Sequence, residues 1–380
     1  MDNLTHSLVG LVAAKSGLER LSPAATPLCI LAANSPDSDL IVLLFSDRWT
    51  FLHHHRGITH AIAGVLFLAV LLPVVFYGVD RLLAKLRDRP PRLKFRGLLL
   101  ASLIVSATHP LLDWTNNYGI RFLLPWNTGW SYGDLVFIVD PFIWFVLGGT
   151  AFFLTSGTKL QRVCWAVLAA ILTTLVVLSP RSAGHPNPML LRVIWIAAML
   201  ALIVLAVSWS SKRLSPRLGI VALGVVVAYW VALGVVHWLA VNQAHRDALA
   251  VLKGSGESVI SLAAMPTLAN PFGWDCVFET DKATYRMSVN LLGNDANRRL
   301  ISYPKPEGVA ASLVENASRD RRTQILLEFA RYPVWRVSDT DCTTQTLVQL
   351  ADLRYTEPGM TRGSFALELP VDCSIQRGNP

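Results

Sequence analysis

Residues 51–66 read FLHHHRGITHAIAGVL. Four of the chain's nine histidines, His53, His54, His55 and His60, stand here at the mouth of an apolar run, 58–79. An imidazole at the edge of a membrane-length run is costly, and an ionisable group there marks a functional site by default. The flanking chain supplies partners for it: His6 upstream, Asp37 and Asp39 in NSPDSDL, and His109 and Asp113 in THPLLDW.

The composition agrees with a membrane setting. Of 380 residues 52% are apolar and only 16% charged, and the mean hydropathy is +0.42, values that belong to membrane proteins. Residues 4–17 are apolar but too short to span a bilayer alone. A second apolar run, 24–46, is broken in its middle by NSPDSD. Runs at 58–79, 97–112, 135–154, 163–178, 190–209 and 218–240 follow, each near the ~20 residues that cross a bilayer.

The charge is divided along the chain. Residues 1–240 carry 19 Lys and Arg against 10 Asp and Glu, a net +9, while residues 241–380 carry 15 against 16, a net −1. The basic excess therefore lies in the short loops of the membrane half, where it sets topology and does not mark a nucleic-acid surface. Residues 80–96, DRLLAKLRDRPPRLKFR, hold seven basic residues and two acids, the strongest cytoplasmic signal and a candidate surface for a protein partner. Lys159 with Arg162, and Lys212 with Arg213 and Arg217, mark two further loops. Counting spans, all three fall on one side, which leaves residues 241–380 extracytoplasmic. The N-terminus, MDNLTHS, has no basic region leading into a cleavable apolar core, so no signal peptide is expected.

Helical rise then aligns the polar groups in depth. Taking Arg96 as the inner edge, His109 lies about 20 Å and Asp113 about 25 Å above it at ~1.5 Å per residue. A hairpin turning at residues 20–23 puts His6 and Asp37 each about 20 Å above the turn, and His60 lies about 30 Å above Asp80. His6, Asp37, His60 and His109 thus come to similar depth from four segments and are expected to converge on one divalent ion. Imidazoles with carboxylates are the ligand set of Zn²⁺ and of harder ions such as Mn²⁺. His109 and Asp113 are four apart and share a helix face; Pro110 either interrupts that helix or starts a new segment with His109 as its cap. Asp37 and Asp39 are expected in a non-helical break, tolerated at membrane depth where it lines a cavity. His53 and His54 read as solvated loop residues, and His185 and His237 as structural. Asp140 reads equally as a helix cap or as a partner of Arg121.

The tail, 241–380, changes character. Helical patterns occur at 241–252 and 319–330, and alternation or short strand-like runs at 285–291, 334–337, 346–353 and 365–371, an α+β domain of ordinary size. Cys29 and Cys164 sit in apolar runs as small buried hydrophobes. Cys276, Cys342 and Cys373 in the tail permit one disulfide at most. The expected fold is a polytopic α-helical membrane protein, residues 1–240, with a C-terminal α+β soluble domain, residues 241–380.

MDNLTHSLVG, NSPDSDL, HHHRGITHA and THPLLDWTNNYG, followed by LPW and a VDP-containing span, resemble the bacterial membrane-bound metal-dependent hydrolases typified by YdjM, a family also described as inner-membrane-associated and LexA-binding. The resemblance covers roughly residues 1–150. It implies an inner-membrane location, a metal site and a hydrolytic reaction. By position, His6, Asp37, Asp39, His55, Arg56, His60, His109 and Asp113 match the family's polar motifs, His55 being taken as the matching member of the three successive histidines. Asp37, His60, His109 and Asp113 are the first ligands to consider, then His6, Asp39 and His55. His6 or Asp39 is a candidate general base, and Arg56 with Asn117 and Asp140 a candidate contact for an arriving head group. At that depth a lipid or lipid-linked ester or phosphoester suits best. A transporter would use similar groups but favours an inverted repeat, which the sequence does not display. A regulatory or interaction protein of the LexA-binding type would need a sizeable cytoplasmic surface, and the topology offers mainly residues 80–96.

Overall fold

The computed structural model describes residues 1–178, 188–208, 215–293, 300–360 and 365–373; His185 lies outside them. The chain forms helices α1 (Asn3–Lys15), α2 (Ala25–Asn34), α3 (Arg48–His54), α4 (Ile62–Leu86), α5 (Phe95–Trp114), α6 (Pro141–Thr155), α7 (Lys159–Leu178), α8 (Pro188–Ser208) and α9 (Arg217–Val251). Strands β1 (Val259–Thr267), β2 (Asn270–Thr280), β3 (Ala283–Asn290) and β4 (Ile301–Pro304) follow. Helices α10 (Gly308–Ala317) and α11 (Arg321–Phe329) come next, then strands β5 (Pro333–Val337), β6 (Gln345–Asp352) and β7 (Ala366–Asp372). Six helical stretches among the described residues are long and apolar enough to cross a membrane: Ala25–Leu44, Ile62–Leu86, Phe95–Trp114, Lys159–Leu178, Met189–Ser208 and Arg217–Val251. The protein is a polytopic helical membrane protein with an α+β region after it.

Contacts divide the chain into two compact units, residues 1–39, 56–235 and 266–271 in the first, and 40–55, 236–265 and 272–380 in the second. In the first unit, α1 packs on α2 and α6, and α5 on α2 and α4. A seam of small residues, Ala13, Ala14, Cys29, Ala32, Ala33 and Ala101, lets α1, α2 and α5 approach closely, as small residues do between membrane helices. Gly10 is part of the same fit, since a Cβ there would stand 2.6 Å from the Cys29 carbonyl oxygen. Larger side chains, Leu8, Val12, Ile143, Leu147, Val226 and Leu233, fill a second core.

Several expectations change in detail. The break after α2 is a 3₁₀ helix, Ser35–Leu44, which continues the apolar stretch. Pro110 does not interrupt α5: it lies inside the helix, fully buried, with His109 and Asp113 one turn apart on the same face. The run at 135–154 yields only the 15-residue α6, because Asp140 caps it at Pro141. Cys164 is exposed on α7, while Cys29 is buried.

In the second unit β1–β4 form one sheet in sequence order and β5–β7 another. The pairings of β2 with β3, β3 with β4, β5 with β6 and β6 with β7 are antiparallel, with Phe278 opposite Tyr285 and Leu350 opposite Leu367. The helical pattern at 241–252 proves to be the end of α9, whose Ala240, Ala244 and Ala248 pack with Trp274 and Phe278. Strands β1 and β2 and helix α10 carry no alternation strong enough to be read beforehand. A disulfide joins Cys342 to Cys373. His237, read as structural, places Nε2 3.1 Å from the Ala264 carbonyl.

Candidate metal centre

Four segments of the first unit bring their polar side chains together. The end of α2 passes into the 3₁₀ helix and delivers Asp37 and Asp39. A tight turn, in which the N–H of His60 bonds the Gly57 carbonyl at 3.1 Å, delivers His60 just before α4. That turn folds back on α4 because residue 64 is glycine: a Cβ there would stand 1.9 Å from the Ile58 carbonyl oxygen. Helix α5 delivers His109 and Asp113, and α1 delivers His6.

Oδ1 of Asp37 lies 3.2 Å from Nε2 of His60 and 3.6 Å from Nε2 of His109. Oδ2 of Asp113 lies 3.4 Å from the first of these nitrogens and 3.3 Å from the second. One ligand atom from each of the four residues falls within 4.8 Å of every other. Ligands ~2.1 Å from an ion at tetrahedral angles stand about 3.4 Å apart, and the carboxylate–imidazole separations match that spacing.

The protonation pattern fits as well. Nδ1 of His109 lies 2.6 Å from the Ala33 carbonyl oxygen, which can only accept, so the proton is on Nδ1 and Nε2 turns its lone pair to the cluster. That carbonyl is available because α2 ends one residue later. Nδ1 of His60 faces Oδ2 of Asp39 at 3.4 Å, the carboxylate–histidine arrangement that orients metal-bound imidazoles. Nε2 of His60 hydrogen-bonds Oδ1 of Asp37 at 3.2 Å, whereas Nε2 of His109 and Oδ2 of Asp113 have no hydrogen-bond partner among the described residues. His60, His109 and Asp113 are buried. Such a cluster asks for a cation. A divalent ion fits the residues present.

Asp113 divides its two oxygens. Oδ2 faces His60 and His109, whereas Oδ1 receives the Met1 amino group and Nη2 of Arg56 at 3.1 Å. Nε2 of His6 stands 3.4 Å from the same Oδ1. His6 is stacked on His109 with ring centroids 3.8 Å apart, and neither of its ring nitrogens has a hydrogen-bond partner among the described residues. So Asp113 completes the four, and His6 lies beside it.

Arg56 is buried, 2% exposed, and both of its terminal nitrogens are engaged, while Nε has no hydrogen-bond partner among the described residues. Nη1 donates to the Asp113 carbonyl, Oδ1 of Asn116 and the Gly119 carbonyl at 3.0–3.2 Å, and the guanidinium lies 4.6 Å over the ring of Tyr118. Its backbone adopts φ +51°, and its N–H is held by Oδ2 of Asp39 at 2.9 Å. The sequence reading put Arg56 at an arriving head group; in the structure it braces Asp113 and Asp39. Asn116, not Asn117, takes its guanidinium, while Asn117 is half-buried beside it. Asn116 and Tyr118 were legible only as further polar and aromatic members of the WTNNYG run.

His55 does not join the cluster. It ends α3 and stacks on Phe51 at 4.7 Å. His54 is exposed, as is His53, which pairs with Glu328 at 3.1 Å. Asp140 is the cap: its carboxylate accepts from the N–H groups of Phe142 and Ile143 and from the Tyr229 hydroxyl at 3.0 Å. Arg121 lies over Trp130.

A buried His/Asp cluster on a polytopic helical scaffold defines a membrane protein with a candidate metal centre. Residues 1–185 match the family described as YdjM inner membrane protein, the same family that the motifs resemble. That match and the six helical stretches long and apolar enough to cross a membrane support a multi-pass inner-membrane location. A Bacillus subtilis (strain 168) protein described as uncharacterized protein YfhP is 29% identical over 153 residues, 38% of this chain and 43% of that protein. The chain therefore matches less than half of that relative's length. No solved structure matches.

Proposed function

We propose that this chain is a membrane-embedded metal-dependent hydrolase acting on an ester or phosphoester of a membrane lipid or lipid-linked substrate. The observation that carries the reading is the convergence of Asp37, His60, His109 and Asp113 within 4.8 Å. Asp37 and Asp113 lie on candidate spans, Ala25–Leu44 and Phe95–Trp114, so a substrate reaches them most directly from the bilayer. When bound, Zn²⁺ or Mn²⁺ would activate a water and polarise the oxygen of the bond to be cleaved.

The chain's own residues supply the rest. Asp39 orients His60, and Ala33 orients His109. Arg56 holds Asp113 in place. Of the two candidate bases, Asp39 is engaged by the Arg56 N–H and by His60, whereas His6 keeps both ring nitrogens unsatisfied; His6 Nε2 is the atom assigned to take and return a proton. The three basic loops in phase, together with the Cys342–Cys373 bridge, which suits an oxidising compartment, support an extracytoplasmic tail.

The test uses full-length protein in detergent, loaded with Zn²⁺ or Mn²⁺ and mixed with micelles of phospholipids and of polyprenyl phosphates. Released phosphate, head group and fatty acid are followed by mass spectrometry. Metal-dependent release that is lost in His109→Ala is expected. Stoichiometric metal without release from any of these esters would overturn the hydrolase reading.

A further inference from the structure

At the basic end of α4 the structure holds a pocket of about 560 Å³ lined by Arg81, Leu82, Ala84, Lys85, Arg89 and Pro91. We propose that it binds the phosphate head group of an anionic phospholipid. The site is separate from the His/Asp cluster and rests on none of the assignments made for it.

Asp80, outside the lining, braces the pocket wall. Its Oδ2 accepts from the backbone N–H groups of Arg92 and Leu93 at 2.6 and 2.9 Å, and its Oδ1 accepts from Nη2 of Arg89 at 2.8 Å. These bonds fold residues 89–93 back along the last turns of α4 and set Arg89 on the pocket wall. The charge of Asp80 is spent on Arg89, so it does not neutralise the other two cations. Arg81 and Lys85 are one turn apart on one helix face and repel each other. Among the described residues Lys85 has no carboxylate partner, and the Arg81 guanidinium lies 5.2 Å from the Tyr77 ring. Asp88 does not line the pocket. Three cations with one anion among them leave room for a further negative charge.

The remaining walls select the source of that charge. Leu82, Ala84 and Pro91 are apolar, and Leu82 and Leu86 are exposed on a helix of membrane length. Cations at the end of such a helix stand at the level of lipid phosphates, and basic pockets between membrane helices recognise anionic head groups there. Exposed leucines beside the cations suit acyl chains, which a free phosphate ion or an acidic protein segment would leave uncovered.

Full-length protein in neutral detergent is titrated with phosphatidylglycerol, cardiolipin, phosphatidylcholine and, separately, sodium phosphate, and bound lipid is counted by native mass spectrometry. The anionic lipids are expected to be retained several-fold more than phosphatidylcholine. The Arg81→Gln/Lys85→Gln variant should fall to the phosphatidylcholine level, while Lys159→Gln/Arg162→Gln, in the first turn of α7, should not. Lys85→Arg should keep binding, and Lys85→Gln alone serves if the double variant aggregates. Equal retention of anionic and zwitterionic lipid, or undiminished binding in the double variant, overturns the proposal. Displacement of lipid by millimolar phosphate would reassign the pocket to the free ion. A co-purifying protein lost in the double variant, with no lipid preference, would reassign it to a protein partner.

Discussion

Nδ1 of His60 stands 3.4 Å from Oδ2 of Asp39, while Nε2 of the same ring faces Asp37 and Asp113. The sequence offers Asp37 and Asp39 as equivalent neighbours of one serine, yet the structure sends one to the centre and the other behind an imidazole. Asp39 then acts through His60. Asp39→Asn should weaken metal binding by about 10- to 100-fold while all four ligand residues remain, the usual effect of losing an outer carboxylate. Titration against a chelator of known affinity checks this; unchanged affinity would show that Asp39 has no hold on the ring.

Loss of any one of Asp37, His60, His109 and Asp113 should act differently. Each Ala variant removes a ligand and should empty the site in metal analysis of the purified protein. Pairs should be no worse than singles, because the second removal acts on a site already empty. His55→Ala should leave metal content at the wild-type level, since His55 stacks on Phe51 away from the four.

Much of this centre was legible because its residues are polar groups in apolar surroundings, where chance occupancy is costly. His60, His109, Asp37 and Asp113 stood out for that reason. Helical rise gave their depth but not their azimuth, so it could not tell that Asp113 completes the four while His6 lies beside it. Arg56 read as a head-group contact because its chemistry suits a phosphate equally well; only the positions of Asn116, Gly119 and Tyr118 show how far its terminal nitrogens are engaged inside the protein. In the tail, β3, β6 and β7 showed themselves by alternation, whereas β1 is too evenly apolar for a period of two to appear.

Arg56 carries a prediction on stability. Removing one member of a buried ion pair leaves the other uncompensated, so Arg56→Ala should cost about 3–5 kcal/mol. Arg56→Lys should recover little, because an ammonium cannot reproduce the fork that reaches Asp113, Asn116 and Gly119 together. Thermal unfolding in detergent, with and without metal, measures both. A lysine variant as stable as the wild type would mean that charge alone suffices.

Gly64→Ala tests the turn that carries His60. The added methyl would meet the Ile58 carbonyl, so the backbone must shift, and with it the imidazole. Metal affinity should fall although no ligand is altered. Gly78→Ala, on the same helix with open space around it, is the control and should bind metal normally. Equal affinity in the two variants would show that the turn adjusts freely.

The last prediction concerns residues 40–55. They belong to the second unit, yet the residues flanking them, Asp39 and Arg56, belong to the first and lie at the candidate centre. Within the second unit α3 packs against α11, Trp49 and Leu52 are its buried residues, and His53 pairs with Glu328. The two kinds of contact differ in weight. An exposed ion pair contributes at most about 1 kcal/mol, whereas truncating a buried leucine to alanine costs about 2–5 kcal/mol. Leu52→Ala should therefore loosen α3, seen as faster amide exchange across residues 48–54, and Glu328→Ala should barely change it. Because Asp39 and Arg56 are covalently continuous with that segment, Leu52→Ala should also weaken metal binding, and Glu328→Ala should not. If exchange rises in Leu52→Ala while metal affinity stays at the wild-type value, both ends of the segment are held by the first unit alone, and the tail has no influence on the centre through α3.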